Sequence, residues 1–319
     1  MYTLPKLRQQ IELIQDYWFE QLKDSYEIES THDLREMHNT LPQDAKWDAF
    51  PVDASFAGRD QYYWLRFEVP VCLLAEKEKY LINIGVLCNN DGGNSIPEGL
   101  VFADGTPIQA VDANHRDIML DHNYSEKNVK IAICFWTGLS HNATVYPVPT
   151  YTYRDIRGGK FDSAGYECFR YLDVMAQAVA EFAKDEPIKY AYLKTMTQIV
   201  KRFDWGRMTP TLFEENIEEA LALIQAFIKD HEGEKKQFTI SAVGHTHIDV
   251  AWLWRLAHTR EKTSRSFSTE LSLLKDYPDY VFMHSTPQVY QYIKEDYPEL
   301  FEQINQRIQE GRWEADGAA

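Results

Sequence analysis

The sequence predicts a multidomain α and β protein: a jelly-roll-like β-sandwich, a helical connector, and then the first strands of an α/β unit. Three observations carry this. Between about residue 60 and 155 apolar side chains recur with period two and are punctuated by turn clusters. Between about 160 and 231 the apolar period is that of a helix, and from Phe238 onward short strand and helix patterns alternate. The 319 residues suffice, at ~100 to 200 per domain, for about two domains and part of a third. A 44% hydrophobic and 26% charged composition excludes a disordered, collagen-like or coiled-coil chain. With 49 acidic against 33 basic residues the net charge is -16, so neither nucleic acid nor an anionic membrane surface is an expected partner.

In order along the chain, Leu7, Ile11, Ile14, Trp18 and Leu22 stand at helical spacing, which predicts an opening helix over about 6–28. Tyr63, Leu65, Phe67 and Val69 alternate with Tyr62, Trp64, Arg66 and Glu68, which is the pattern of a strand. Further strands are expected over about 80–88, 99–103, 106–111, 115–120, 128–137 and 143–153, separated by turns such as Asn89-Asn-Asp-Gly-Gly93 and Asp104-Gly105. Opening helix and sandwich together are expected to occupy 1–159. After Arg157-Gly-Gly159 the connector, over 160–237, presents Leu172, Met175, Val179 and Phe182 on one face and Ile217, Leu221, Ile224 and Ile228 on another. Pro187 opens one of its helices, and the Thr209-Pro210 pair caps and opens the last. The polar run His231 to Gln237 reads as a boundary. The final domain, 238–319, then reads strand (238–244), helix (259–276), strand (280–285), helices (287–310) and strand (312–315), with Gly311 as a C-cap. Successive βα units imply a parallel sheet, either doubly wound or an opening barrel. Three parallel strands leave one edge and one side bare, so closure is expected from further sequence after Ala319.

No apolar run approaches the ~20 residues of a membrane helix, and the N-terminus lacks a secretory pattern, which gives a cytoplasmic expectation. Cys72, Cys88, Cys134 and Cys168 lack the close spacing of a metal site, and each is expected as a buried free thiol.

The chemistry concentrates in Val243-Gly-His-Thr-His-Ile-Asp-Val-Ala-Trp-Leu-Trp254. His245, His247 and Asp249 are two residues apart, so an extended strand projects all three from one face, at the carboxyl end where α/β folds place active sites. Imidazole and carboxylate suit a divalent metal such as zinc, while Trp252 and Trp254 add the flat apolar surface on which a sugar ring stacks. The same His-x-His-x-Asp could instead form a hydrogen-bonded core network, and paired tryptophans could be packing. Asp316, near the end of the third strand, is a further carboxylate that could face the site. Asn89 to Gly93 lacks the setting of a phosphate loop, and Asn142-Ala-Thr144 matches a glycosylation acceptor that has no meaning in a cytoplasmic protein.

Gly244-His-Thr-His-Ile-Asp-Val-Ala-Trp-Leu-Trp-Arg255, Arg265-Ser-Phe-Ser-Thr269, Tyr277-Pro-Asp-Tyr280, Ser285-Thr-Pro-Gln-Val-Tyr290, Tyr297-Pro-Glu-Leu-Phe301 and Gly311-Arg-Trp-Glu314 closely resemble the start of the catalytic domain of glycoside hydrolase family 38 α-mannosidases. Glu98-Gly-Leu-Val-Phe102 and Val111-Asp-Ala-Asn-His-Arg116 resemble the sandwich that precedes the barrel in the cytosolic and bacterial members. The resemblance implies a retaining glycosidase on a seven-stranded β/α barrel with one zinc ion, acting on an α-mannoside glycan. It implies that His247 and Asp249 are zinc ligands, that Trp252 is the platform beneath the mannose ring, and that His245 is not a direct ligand. It also implies that nucleophile, acid and remaining ligands follow Ala319, so that this chain alone is inactive. Two other readings stand beside it: a metal-dependent amidohydrolase, which also uses His-x-His at a first barrel strand, and a non-catalytic carbohydrate-binding or homodimer-forming module with Trp64 and Trp136 lining its surface.

Overall fold

The computed structural model describes residues 2–20, 22, 24–76, 78–88, 97–139, 148, 150–182, 187–231 and 240–317. The chain opens with helix α1 (Leu4–Glu20), followed by strands β1 (Asp24–Ser25), β2 (Glu29–Asp33), β3 (Asp48–Ala49), β4 (Ser55–Ala57) and β5 (Tyr62–Pro70). Strands β6 (Lys79–Cys88), β7 (Glu98–Ala103), β8 (Thr106–Val111), β9 (Asp117–Leu120), β10 (Asn128–Trp136) and β11 (Thr150–Phe161) come next. Helices α2 (Ser163–Glu181), α3 (Pro187–Val200) and α4 (Pro210–His231) precede β12 (Gly244–His245), α5 (Leu256–Asp276), β13 (Phe282–Met283), α6 (Pro287–Asp296), α7 (Pro298–Gln309) and β14 (Trp313–Glu314). Among the described residues no helix is long and apolar enough to cross a membrane.

Packing divides the chain into two units, residues 1–23 with 159–240, and residues 24–158 with 241–319. The first is helical. Leu7, Ile11 and Ile14 of α1 share one core with Leu172, Met175 and Val179 of α2, Met196 and Ile199 of α3, and Phe213, Ile217 and Ile224 of α4. The opening helix, which sequence groups with the sandwich, thus has its apolar stripe covered by helices distant in sequence. It also ends earlier than its periodicity suggests, at Glu20, because Asp24 and Ser25 leave as a strand that pairs with Gly158 and Arg157. Gly158 is required there: a Cβ would lie 2.2 Å from Tyr26 Oη and 2.8 Å from the Tyr80 ring. Arg157-Gly-Gly159 is accordingly inside strand β11 and not the break the sequence suggests. Pro187 and Pro210 open their helices as expected, and Thr209 Oγ1 accepts from the Leu212 N–H at 3.2 Å. Ile228, expected on the apolar face of α4, is exposed.

The second unit holds two antiparallel sheets, one in the order β3-β2-β5-β10-β7-β8 and the other β1-β11-β6-β9 with β4 against β11. Leu65, Phe67 and Val69 of β5 and Ile131, Ile133 and Phe135 of β10 meet Ile82, Ile84, Ile118, Leu120, Tyr151 and Tyr153 of the other sheet in one core. This is the period-two pattern made physical, with alternate residues facing the opposite sheet. The remaining alternate residues of the six-stranded sheet, Tyr62, Trp64, Leu100, Phe102, Cys134 and Trp136, form a second buried layer. Trp64 and Trp136 are therefore core and not a glycan surface; Trp64 Nε1 donates to Asp33 Oδ2 at 2.8 Å. Cys134 and Cys168 are buried free thiols, whereas Cys72, in the segment after β5, is exposed, and the Cys88 side chain lies outside those described.

In the same unit β12, β13 and β14 form a parallel sheet in that order, with Gly244 opposite Phe282 and Phe282 opposite Trp313. Each strand is only two residues long, shorter than its apolar pattern, and residues 240–243 are irregular and exposed. Gly244 lets the Tyr280 ring cross the strand, since a Cβ would lie 1.9 Å from Tyr280 Oη. Helix α7 ends as expected at Gly311, whose φ of 70° suits glycine. The turn at 89–93, the Asn142-Ala-Thr144 segment and residues 232–237 lie outside the described residues.

Candidate functional site

Strand β12 leads into the site, and the residues that follow it, 246–249, have no regular secondary structure but keep an alternation in burial. Ile248 points inward and is buried among Phe267, Phe282 and Leu274, so His247 and Asp249 on either side of it turn outward. Their side chains meet: His247 Nε2 lies 3.1 Å from Asp249 Oδ1, with side-chain exposures of 78% and 40%. His245 does not complete a triad. Its ring is 6.1 Å from that of His284, and no group of three His, Cys, Asp or Glu among the described residues is placed to hold a metal ion. Asp316 is exposed in the segment after β14.

The implied zinc ion fits the pair that does form. Two ligands ~2.0 to 2.1 Å from a tetrahedral ion stand roughly 3.3 Å apart, close to the observed nitrogen-to-oxygen separation, and the donor set is one imidazole and one carboxylate.

His284, at the end of β13, stands behind the site and was not legible in the sequence as part of it. It is 1% exposed, and its Nδ1–H donates to the Thr246 carbonyl at 2.9 Å, immediately before His247. Burial, together with the neighbouring His245 and His247, holds the imidazole below its ordinary value of 6.5, although the hydrogen bond to Thr246 acts the other way. Trp313 Nε1 donates to Tyr290 Oη, and Tyr290 donates to the His284 carbonyl, each at 2.9 Å. One hydrogen-bonded chain therefore ties β14 and β13 to the segment following β12.

Past Asp249 the backbone turns sharply through Ala251, at a φ of 59°, and presents Trp252, which is 64% exposed. Trp254 stands edge-on to Trp252 with ring centroids 5.7 Å apart, and Lys262 Nζ lies 5.1 Å above the Trp254 ring. Thr259 on α5 donates to the Asp249 carbonyl at 3.2 Å and accepts from the Ala251 N–H at 3.1 Å and the Trp254 indole at 3.0 Å.

Helix α5 is itself anchored to the six-stranded sheet by a row of polar contacts. His258 Nδ1 accepts from the Arg255 N–H at 3.1 Å, so its Nε2 carries the proton it donates to Asp60 at 2.7 Å. Trp136 Nε1 and Arg255 also donate to Asp60. Burial alone would raise the Asp60 carboxyl, but these hydrogen bonds and the adjacent charges outweigh it and hold the group below 3.8. One turn further on, Tyr62 Oη donates to Glu261 at 2.7 Å, and Glu98 takes Lys262 at 2.7 Å together with the buried Arg265. Burial again acts to raise the Glu98 carboxyl, and the charges of Arg265 and Lys262 more than reverse it, leaving it below 4.5.

Residues 237–319, which contain this site, match the family described as the glycosyl hydrolases family 38 N-terminal domain. Alpha-mannosidase G of Dictyostelium discoideum is 28% identical over 235 residues, covering 69% of this chain and 21% of that protein. Alpha-mannosidase 2C1 of Homo sapiens is 28% identical over 221 residues, covering 66% and 21%. An alpha-mannosidase of Saccharomyces cerevisiae is 39% identical over 74 residues, covering 23% and 7%. The chain thus spans about a fifth of the length of the first two of these relatives. The segment that carries the His247–Asp249 pair and Trp252 is thus the part of this chain that is similar to the glycosyl hydrolases family 38 N-terminal domain.

Proposed function

We propose that the protein to which this chain belongs is a retaining, zinc-dependent α-mannosidase that removes terminal α-mannosyl residues from glycans. The observation that carries the reading is the pairing of His247 with Asp249, followed three residues later in the chain by the exposed indole of Trp252, inside the segment that matches the family 38 model. The relatives named alpha-mannosidase support the same activity.

In this reading His247 Nε2 and Asp249 Oδ1 hold the ion. Bound zinc supplies a Lewis-acid anchor for vicinal sugar hydroxyls. The chain's own contribution is to bind and orient: Trp252 covers the apolar C–H face of the pyranose and excludes water from it, while the hydroxyl edge faces the carboxylate and imidazole. No residue of this chain is assigned as nucleophile or general acid, and the chain by itself is proposed to be inactive. The two antiparallel sheets are read as the jelly-roll-like sandwich, and β12, β13 and β14 as the opening of a seven-stranded barrel. Their parallel register and the intervening helices support that reading.

The test uses the full-length protein, measuring zinc by elemental analysis and following an aryl α-mannoside by NMR. The expected result is bound zinc and first release of α-mannose, the retained anomer. Absence of mannoside hydrolysis, or hydrolysis of amides or esters instead, would overturn the proposal.

A further inference from the structure

We propose that Thr259 is the positioning residue of this site, its single hydroxyl fixing the metal-ligand segment and the aromatic platform in one frame. The proposal rests on the zinc α-mannosidase reading above for its catalytic consequence, but the clamp itself stands on geometry alone.

A threonine hydroxyl has one proton to donate and two lone pairs to accept with. Thr259 uses all three within six residues of chain. It donates to the Asp249 carbonyl, and it accepts from the Ala251 N–H and the Trp254 indole N–H. The side chain is fully buried, so water cannot stand in for any of these partners. The bond to Ala251 matters because that residue is in the left-handed region, at a φ of 59°, which a non-glycine residue holds only when its surroundings impose it. The bond to Trp254 matters because Trp254 supports the exposed Trp252 edge-on, at 90° between the rings. One group therefore sets the backbone of a proposed zinc ligand and, through one intervening ring, the sugar platform.

The frame to which Thr259 refers is rigid. Its neighbour His258 is locked by Asp60 on one ring nitrogen and by the Arg255 N–H on the other. Arg265, two turns along the same helix, is buried against Glu98 of β7. The loop after β12 is thus indexed against the six-stranded sheet and not merely against its own strand, which gives the sandwich a part in shaping the site.

The experiment compares wild type, Thr259→Val and Thr259→Ser in the full-length protein. Valine keeps the shape and removes the hydroxyl; serine keeps the hydroxyl. Three quantities are read: the zinc dissociation constant by chelator competition, kcat and KM on an aryl α-mannoside, and hydrogen–deuterium exchange of residues 246–256. For Thr259→Val the zinc dissociation constant is expected to rise about 10- to 100-fold, as for other groups that orient a metal ligand. Turnover should fall, and exchange should quicken in 246–256 but not in 298–309. Thr259→Ser should restore all three. Unchanged zinc affinity and exchange in Thr259→Val would overturn the proposal. So would equal losses in Val and Ser, or exchange that quickens throughout both regions, since each makes Thr259 a packing residue. A wild type that binds no zinc and hydrolyses no mannoside retires the functional reading, and the exchange comparison then decides the clamp by itself.

Discussion

Replacing Trp252 with Ala is expected to cost turnover heavily and stability little, and the size of each effect follows from how the indole sits. Its exposure is 64%, so roughly a third of its surface is covered in the folded chain. A tryptophan has up to about 250 Å² to bury. The covered part is then about 90 Å², which at ~25 cal/mol per Å² is about 2 kcal/mol. That value is a ceiling, because the unfolded chain also hides part of the ring. A core tryptophan would cost about 3 to 5 kcal/mol. A sugar lying on one face covers about 80 Å² more, again about 2 kcal/mol, and ring geometry adds ~0.5 to 1.5 kcal/mol. The combined effect corresponds to on the order of 100-fold in kcat/KM. Calorimetric Tm and kcat/KM on an aryl α-mannoside, measured on the same preparations of the full-length protein, separate the two costs. A core-sized fall in Tm with unchanged activity per folded molecule would refute the stacking role.

His247→Ala and Asp249→Ala are each expected to abolish stoichiometric zinc in elemental analysis while leaving the metal-free protein within about 0.5 to 1 kcal/mol of wild type, because the His247 side chain is largely exposed and that of Asp249 partly so. Glu98→Gln leaves Arg265 buried without its carboxylate and is expected to cost about 3 kcal/mol in urea unfolding at neutral pH; a change under about 0.5 kcal/mol would show that the pair is not holding α5 to the sheet. In the wild type the folded Glu98 carboxyl sits below 4.5. The unfolded chain therefore takes up that proton first, so the contribution is present above about pH 4.5 and lost as pH falls through the folded value. The acid limb of a Tm-against-pH curve should be shallower in Glu98→Gln, and an identical limb would contradict this. Leu7→Ala is expected to destabilise the helical unit by about 2 to 5 kcal/mol, because Leu7 is fully buried among α2, α3 and α4 side chains. Unchanged unfolding would mean that α1 contributes no core.

Element types were largely legible because they follow from local periodicity. Leu65, Phe67 and Val69 alternate into one core, and Leu172, Met175 and Val179 recur as one helical face, just as their spacing demands. Prolines and glycine marked the helix ends at 187, 210 and 311 for equally local reasons, the missing N–H and the left-handed φ. Partnership was not legible. Nothing near Leu7 says that its stripe will meet Phe213, and the Arg157-Gly-Gly159 run reads as a break until Tyr26 and Tyr80 are seen to need the space above Gly158.

The sequence by itself determined that His247 and Asp249 face the same way, because a spacing of two around an apolar Ile248 is enough for that, and the resemblance singled out Trp252, which the structure finds exposed. Only the tertiary structure decided that His245 stands apart beside His284, that Trp64 and Trp136 are core, that Thr259 bonds the Asp249 carbonyl, and that Asp60 and Glu98 pair with residues of α5. The physical reason is range. Periodicity and side-chain alternation act over a few residues, whereas Asp60 and His258 are separated by 198 positions and are brought together only by tertiary packing of α5.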